Sequence, residues 1–266
     1  DAYGVVLRSR FTLNQEILSF CPKLKFIASS GSGLENIDLE YCVKNQIDVY
    51  SSPEGNRKAV AEHCLGFCLS LLNNFKGADN DINNGEWLRE KNRGSELGCQ
   101  CVGIIGYGNN GKEFAQALNS LNVPVLAHDK YKTGFSEGVI KESSIEEIFQ
   151  KATLISFHVP LTEETAYMAD YQFFKRFKAP VLVINISRGK ILKTKDLINA
   201  LDEGFVLGAA LDVLDEESKS FTIEDKNNVL VDLNNRPNVI ITPHVAGWTK
   251  ESYFKLSDVL ADKIIK

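Results

Sequence analysis

The sequence lacks the residues that several classes of small protein depend on. Its 266 residues include only six cysteines, four histidines and one methionine. No two cysteines form a CxxC pair, and six are far fewer than a disulfide scaffold of this length would carry. We therefore predict neither a zinc ribbon nor a disulfide framework, and no metal site. Free thiols are typical of a reducing compartment, which favours the cytoplasm.

Long apolar runs and an excess of positive charge are also missing. No apolar run approaches the roughly 18 residues that a membrane-spanning helix needs. Lys and Arg together number 30 against 35 Asp and Glu, giving a net charge of -5. That sign is wrong for binding a polyanion. Neither a membrane nor a nucleic acid is expected as a partner, and a small molecule becomes the expected ligand.

What the sequence does have is a regular alternation of short β-branched runs and amphipathic helical stretches, which predicts parallel α/β units. From Val102 onward the apolar runs are continuous, as in strands buried on both faces of a doubly wound parallel sheet. Strands are predicted at 3–7, 25–29, 47–50, 102–106, 123–129, 153–159, 181–187, 205–213 and 238–242. Helices are predicted at 13–20, 38–45, after Pro53 and at 250–264. The polar segment 76–100 fits either a solvated excursion or an arm that embraces a second subunit.

A glycine motif follows the strand at Val102. Gly106, Gly108 and Gly111 form GxGxxG between that strand and an amphipathic helix, the context in which the motif binds a dinucleotide pyrophosphate. Asp129 ends the next predicted strand, where a carboxylate accepts hydrogen bonds from an adenosine ribose and repels a 2′-phosphate. NAD is therefore favoured over NADP, although Lys130 or Lys132 could in principle reach a phosphate.

Candidate catalytic groups follow the later strands, whose carboxyl ends are where ligands bind in open α/β sheets. Two of the four histidines, His158 and His244, follow closely on the apolar runs of predicted strands. A general acid–base histidine needs a carboxylate to orient it, and the run from Asp215 to Glu217 follows another strand. Arg188 follows a third, where it could grip a substrate carboxylate through two hydrogen bonds.

These motifs together resemble the D-isomer-specific 2-hydroxyacid dehydrogenases, and within them the phosphoglycerate dehydrogenase branch. The resemblance covers essentially the whole chain. Besides GxGxxG with Asp129, its matching stretches are Gly31–Asp38, Val60–His63, His158–Thr162, Asn185–Gly189, Leu211–Val213 and Thr242–Gly247.

The resemblance implies a catalytic triad of Arg188, Glu217 and His244, with Glu217 chosen because it follows Asp212 by five residues. His244 would exchange the substrate proton while hydride passes to or from NAD. The implied cofactor site comprises Gly106, Gly108, Asn109, Asn110, Gly111, Asp129, His158, Val159, Pro160, Ile186, Ser187, Asp212, Ala246 and Gly247. The implied substrate site comprises Arg8, Arg10, Arg188 and the backbone N–H groups of Ser30, Gly31, Ser32 and Gly33.

The family also implies two Rossmann-like doubly wound domains with the active site in the cleft. Residues 57–246 would bind NAD, and 1–56 with 247–266 would form a discontinuous substrate domain that lacks a first strand–helix unit. A homodimer through the NAD domain is implied, which favours the arm interpretation of residues 76–100.

The substrate implied is 3-phosphoglycerate or 3-phosphohydroxypyruvate, as in serine biosynthesis. Arg8 and Arg10 lie on one face of a strand, so both could meet a phosphate dianion. Competing substrates are D-lactate, glyoxylate or hydroxypyruvate, and bulkier 2-keto acids. A non-enzymatic alternative is an NADH-sensing corepressor, since relatives of this fold have that role.

Overall fold

The computed structural model describes residues 2–8, 11–217, 223 and 228–266. The chain divides into two compact units. The first unit contains the described residues up to Ala59 and those from Gly247 to Lys266. The second contains Val60–Glu217 and the described residues from Ile223 to Ala246. Assignment of the two units to substrate and cofactor binding stays a prediction.

The first unit begins with a small parallel sheet. Its elements are β1 (Gly4–Leu7), α1 (Gln15–Ser19), β2 (Phe26–Ser29), α2 (Leu39–Lys44) and β3 (Asp48–Ser51). The strands pair in the order β1-β2-β3, over a core that includes Leu18, Ile27 and Cys42. Both helices start at residues whose side chains accept a backbone N–H, Asn14 and Asp38, as is usual for N-caps.

The second unit is built around a seven-stranded sheet. Helix α3 (Arg57–Leu72) belongs to this unit from Val60 onward. The unit's other helices are α4 (Phe75–Asn83), α5 (Asn109–Ser120), α6 (Ile145–Lys151), α7 (Tyr171–Lys175), α8 (Thr194–Asp202) and α9 (Val229–Asn235). Its strands are β4 (Val102–Ile105), β5 (Val125–His128), β6 (Ile140–Glu142), β7 (Leu154–Phe157), β8 (Val181–Asn185), β9 (Val206–Leu211) and β10 (Val239–Ile241).

Every strand pair in this sheet is parallel, in the order β10-β9-β8-β7-β4-β5-β6. The chain starts at β4, runs to one edge through β5 and β6, and then returns to build the other side from β7. The order reverses between β4 and β7, which makes their carboxyl ends a topological switch point. Neighbouring residues such as Ile104 and Ile105 pack into different core clusters, because alternate side chains point to opposite faces of a strand. The predicted parallel α/β fold is confirmed.

The last helix, α10 (Lys250–Ile265), packs in the first unit. Thr249 and Ser252 cap it reciprocally, which satisfies two backbone donors at its start. A Cβ at Gly55 would lie 2.6 Å from the backbone nitrogen of Leu256, so only glycine allows this approach. Lys263 binds the Ser51 carbonyl and the Glu54 carboxylate. These contacts join the two ends of the chain into one unit.

Two elements differ from the sequence prediction. The three-residue strand β6 was not predicted. Helix α4 lies within the segment interpreted as a polar excursion or arm. Its Asp81 carboxylate is buried and binds Lys91 and Asn92, and Lys76 donates to the carbonyls of Asn234 and Val239. The start of this segment is therefore anchored on the second unit. Among the described residues, no helix is long and apolar enough to cross a membrane.

Candidate active site

The glycine motif forms a tight turn between β4 and α5. Gly106 has φ +96°, and a Cβ there would lie 2.8 Å from the carbonyl carbon of His158. A Cβ at Gly111 would overlap the carbonyl oxygen of Gly106, so α5 packs directly on the turn. Gly108 faces open space at the N-terminus of α5. The turn thus offers a helix N-terminus that an anion can approach without meeting a side chain.

Asp129 lies beside this turn, just after β5. Its carboxylate accepts the backbone N–H groups of Tyr107 at 2.7 Å, Tyr131 at 2.9 Å and Lys132 at 3.0 Å. Burial opposes ionisation, but these three donors and the Lys132 ammonium hold the pKa of Asp129 below its usual range. A fixed negative charge therefore stands where the ribose of a dinucleotide is expected.

A buried polar atom beside the turn has no partner in the described residues. It is Oδ1 of Asn110, in the first turn of α5. Buried oxygens of this kind normally accept a hydrogen bond. Together with the open face of Gly108 and the charge of Asp129, it shows that the residues present fit a dinucleotide.

His158 follows β7 behind the turn. Its Nε2 lies 2.9 Å from the Ser156 hydroxyl, and its buried Nδ1 has no partner among the described residues. Burial lowers the pKa of His158 to about 3. An imidazole that stays neutral near pH 7 is poorly matched to acid–base catalysis. Of the two histidines left open by the sequence, His158 therefore suits a cofactor-side position.

His244 and Glu217 meet at the carboxyl edge of the same sheet, beyond β9 and β10. Nδ1 of His244 lies 2.6 Å from Oε1 of Glu217, and the side chains are 25% and 13% exposed. They follow β10 and β9, which are neighbouring strands, and Arg188 follows β8, the next strand along. All three candidate catalytic residues thus lie at the carboxyl edge of one sheet.

Asp212 fixes the backbone around His244. This buried carboxylate accepts the Thr242 hydroxyl at 2.5 Å and the N–H groups of Val245 and Ala246 at 2.8 Å each. The Asp212 carbonyl accepts the N–H of His244 at 2.8 Å. His244 has φ +55°, a left-handed conformation that is uncommon outside glycine. These contacts hold the His244 segment in place, and the cofactor role implied for Asp212 stays a prediction.

The other two carboxylates of the 215–217 run have different partners. The hydroxyl of Thr194, at the start of α8, lies within hydrogen-bond distance of the carboxylates of both Asp215 and Glu216. Burial and the adjacent Asp215 raise the pKa of Glu216 to about 7. Only Glu217 binds His244, which gives a structural reason for the choice that the resemblance suggested.

Arg188 lies in a loop whose backbone conformation is restricted by hydrogen bonds and close packing. Its carbonyl accepts from Asn185, and its Nη1 donates to the Ser187 carbonyl at 2.8 Å. A Cβ at Gly189 would overlap the Leu214 carbonyl, so the loop packs tightly against the end of β9.

The remaining residues implied for cofactor binding differ in exposure. Exposed or half-buried are Asn109, Val159, Pro160 and Gly247, and buried are Ile186, Ser187 and Ala246.

Of the two arginines predicted to bind a substrate phosphate, the structure describes Arg8, and Arg10 lies outside the described residues. Arg8 follows β1, and its guanidinium carbon lies 4.4 Å from the ring centre of Trp248 and 5.2 Å from that of Tyr253. No described carboxylate oxygen lies within 4.0 Å of Arg8. Sequence reasoning missed both aromatic partners, since nothing in the pattern links Arg8 to α10.

The N–H groups of the Ser30–Gly33 loop, predicted to bind the substrate, are partly used within the fold. Ser30 donates its N–H to the Leu7 carbonyl and Gly31 donates to the Ser29 carbonyl. Those two N–H groups are already used by the fold. Within the described residues, only the N–H groups of Ser32 and Gly33 are without an acceptor, so at most half of the predicted loop donors can meet a substrate.

The fold and this site define a class of protein. A parallel sheet with a glycine turn and an acidic residue beside its switch point is a Rossmann-type dinucleotide-binding domain. An imidazole–carboxylate pair at the same sheet edge can exchange a proton with a bound ligand.

The chain belongs to the D-isomer-specific 2-hydroxyacid dehydrogenase family. Residues 65–246 match the family's NAD-binding domain. The family resemblance seen in the sequence and the prediction of NAD as cofactor are both confirmed.

Similar proteins carry several names. The D-3-phosphoglycerate dehydrogenase of Archaeoglobus fulgidus is 32% identical over 98% of this chain and 49% of its own length. The glyoxylate reductase of Pyrococcus furiosus is 30% identical over 100% of this chain and 78% of its own length. The crystal structure of D-lactate dehydrogenase from Aquifex aeolicus with NAD and lactic acid has a TM-score of 0.89 at 30% identity, covering 100% of this chain and 83% of that one. The chain spans about half the length of the phosphoglycerate dehydrogenases it matches.

Proposed function

We propose that this protein is an NAD-dependent oxidoreductase that interconverts a D-2-hydroxy acid and its 2-keto acid. The observation that carries the proposal is the 2.6 Å contact between His244 and Glu217, at the sheet edge that also carries the dinucleotide turn. A corepressor-like relative can carry the same pair, so multiple turnover by the purified protein is the observation that separates the enzyme from that role.

Each group of the proposed triad has a chemical task. Glu217 fixes Nδ1 of His244 as the protonated nitrogen and stabilises the imidazolium, which leaves Nε2 to exchange the proton of the substrate hydroxyl. Arg188 binds the substrate carboxylate and polarises the 2-keto group. Bound NAD supplies the acceptor for hydride in the oxidation direction.

The favoured substrate pair is 3-phosphoglycerate and 3-phosphohydroxypyruvate, with a place in serine biosynthesis. Arg8 supports it, because a guanidinium held by two rings and not neutralised by a described carboxylate remains available to a dianion,. Similar proteins are named for phosphoglycerate, hydroxypyruvate, glyoxylate and lactate, so the alternative substrates are D-lactate, or glyoxylate and hydroxypyruvate.

A cytoplasmic location is proposed as well. The six free cysteines support it, because free thiols are typical of a reducing compartment,.

Turnover by the purified protein tests the substrate. We expect Arg8→Gln to raise KM for 3-phosphohydroxypyruvate by about 10-fold or more, the loss of a charge-assisted hydrogen bond of roughly 1.5–3 kcal/mol. Hydroxypyruvate, which has no phosphate, should be reduced with kcat/KM changed less than about two-fold. Lys44→Gln, an exposed cation on α2, is the matched control. An equal loss for both substrates, or a wild-type preference for the unphosphorylated acid, would contradict the phosphate assignment.

A homodimer joined through the second unit is also proposed. Its support is a set of exposed apolar side chains on and after α4, namely Phe75, Ile82, Trp87 and Leu88. Trp87 is 85% exposed, and apolar clusters of this kind commonly mark protein interfaces.

We expect light scattering after size exclusion to give a dimer for wild type and a monomer for Trp87→Asp, because a carboxylate would be buried unpaired in the interface. Leu121→Asp, at an apolar position 51% exposed beyond α5, should stay dimeric. A monomeric wild type, or an unaffected Trp87→Asp, would argue against this arm.

A further inference from the structure

The two lysines after β5 are both engaged with other groups. Nζ of Lys132 donates to the carbonyl of Tyr107 at 2.9 Å. Nζ of Lys130 lies 2.6 Å from both carboxylate oxygens of Glu164. These are the two cations that the sequence left available for a 2′-phosphate. Their contacts therefore bear on the relative affinity of the site for NAD and NADP.

The Lys130–Glu164 pair crosses the dinucleotide turn. Lys130 is on the loop after β5, and Glu164 is on the loop after β7. Both strands are direct neighbours of β4, whose carboxyl end carries Gly106–Gly111. An ion pair between those two loops therefore spans the end of β4, on the side where Asp129 stands.

Glu164 is presented by an ordered turn. The N–H of Thr162 donates to the hydroxyl of Thr165 at 2.8 Å, and that hydroxyl donates to the Pro160 carbonyl at 2.6 Å. The preceding residue, Glu163, is exposed and makes no ion pair with a described residue. The structure thus directs one of two adjacent carboxylates toward Lys130.

We propose that Glu164 is a cofactor-specificity residue, which excludes NADP by holding Lys130 away from the 2′-phosphate position. Asp129 repels that phosphate, and Glu164 withholds Lys130, a cation next to Asp129 in sequence that could offset the repulsion. Lys132 donates to the neutral Tyr107 carbonyl, so Lys130 is the one of the two lysines whose charge is neutralised by a described carboxylate. The proposal rests on the dinucleotide site and is independent of which 2-hydroxy acid is the substrate.

Equilibrium binding of NADH and NADPH, followed by calorimetry or by the fluorescence of the bound reduced nicotinamide, tests the proposal without turnover. Because an exposed ion pair contributes at most about 1 kcal/mol, we expect Glu164→Gln to tighten NADPH binding by roughly three- to five-fold. NADH affinity should change less than two-fold. Glu163→Gln makes the same change of charge one residue away and should leave both affinities unchanged.

A double variant assigns the effect to Lys130. In Glu164→Gln with Lys130→Met, the gain in NADPH affinity should vanish. Unchanged NADPH binding in Glu164→Gln, an equal gain in Glu163→Gln, or a gain that survives Lys130→Met would each overturn the role of Glu164. Failure of the wild type to bind NADH would instead refute the dinucleotide site, and this proposal with it.

Discussion

Alanine in place of His244 is expected to reduce turnover by about 10³- to 10⁴-fold, the range that a positioned general acid–base contributes. The Kd for NADH should change less than a few-fold, because the glycine turn and Asp129 lie elsewhere on the sheet edge. Nδ1 of His244 lies 2.6 Å from Oε1 of Glu217, whereas Nε2 of His63 lies 3.9 Å from the Asp212 carboxylate. Steady-state kinetics with a 2-keto acid and NADH, beside a binding titration of NADH, measures both quantities.

A second histidine provides the control for this variant. His128 ends β5, and its Nδ1 lies 3.1 Å from the Ser143 carbonyl, a contact that asparagine can retain. His128→Asn should keep turnover within a few-fold of wild type, and melting curves should show both variants folded. Near-normal turnover in His244→Ala, or an equal loss in His128→Asn, would remove His244 from the catalytic role.

The sequence predicts the second unit's fold well because its signals are local. Continuous apolar runs alternate with amphipathic helices, and each glycine of the turn has a distinct steric task. Strand ends were predicted one or two residues too long. At β4 the reason is visible: Gly106 adopts φ +96°, which ends the extended conformation at Ile105. The strand β6 was missed since three residues at a sheet edge carry almost no periodic signal.

Site geometry was less predictable, because it depends on contacts between residues far apart in sequence. Asp215, Glu216 and Glu217 all carry carboxylates, so their residue types do not tell them apart. The structure shows that Thr194 contacts the first two and His244 contacts the third. Arg8 and Trp248 are 240 positions apart in number, so no local pattern could pair them. The N–H of Ser30 was assigned to a substrate, and its acceptor, the Leu7 carbonyl on the neighbouring strand, is visible only in the folded state.

The same dependence on distant contacts makes Asp212 the residue whose replacement should most affect stability. Asp212→Asn keeps the size of the side chain but replaces one acceptor oxygen with an N–H donor. Because the two oxygens now accept from Thr242, Val245 and Ala246, at least one buried donor would face another donor.

We expect the free energy of unfolding in urea to fall by about 2–4 kcal/mol, since each unsatisfied buried polar group costs roughly 1–3 kcal/mol. Turnover should fall as well, because the segment that holds His244 at φ +55° loses its anchor. Asp170→Asn is the matched control: its carboxylate accepts one N–H, from Phe173 at 2.8 Å, and asparagine is an equally good N-cap. If the two variants lose the same stability, the carboxylate of Asp212 does not hold the His244 segment, and the backbone contacts of His244 with the Asp212 and Thr242 carbonyls become the alternative anchor.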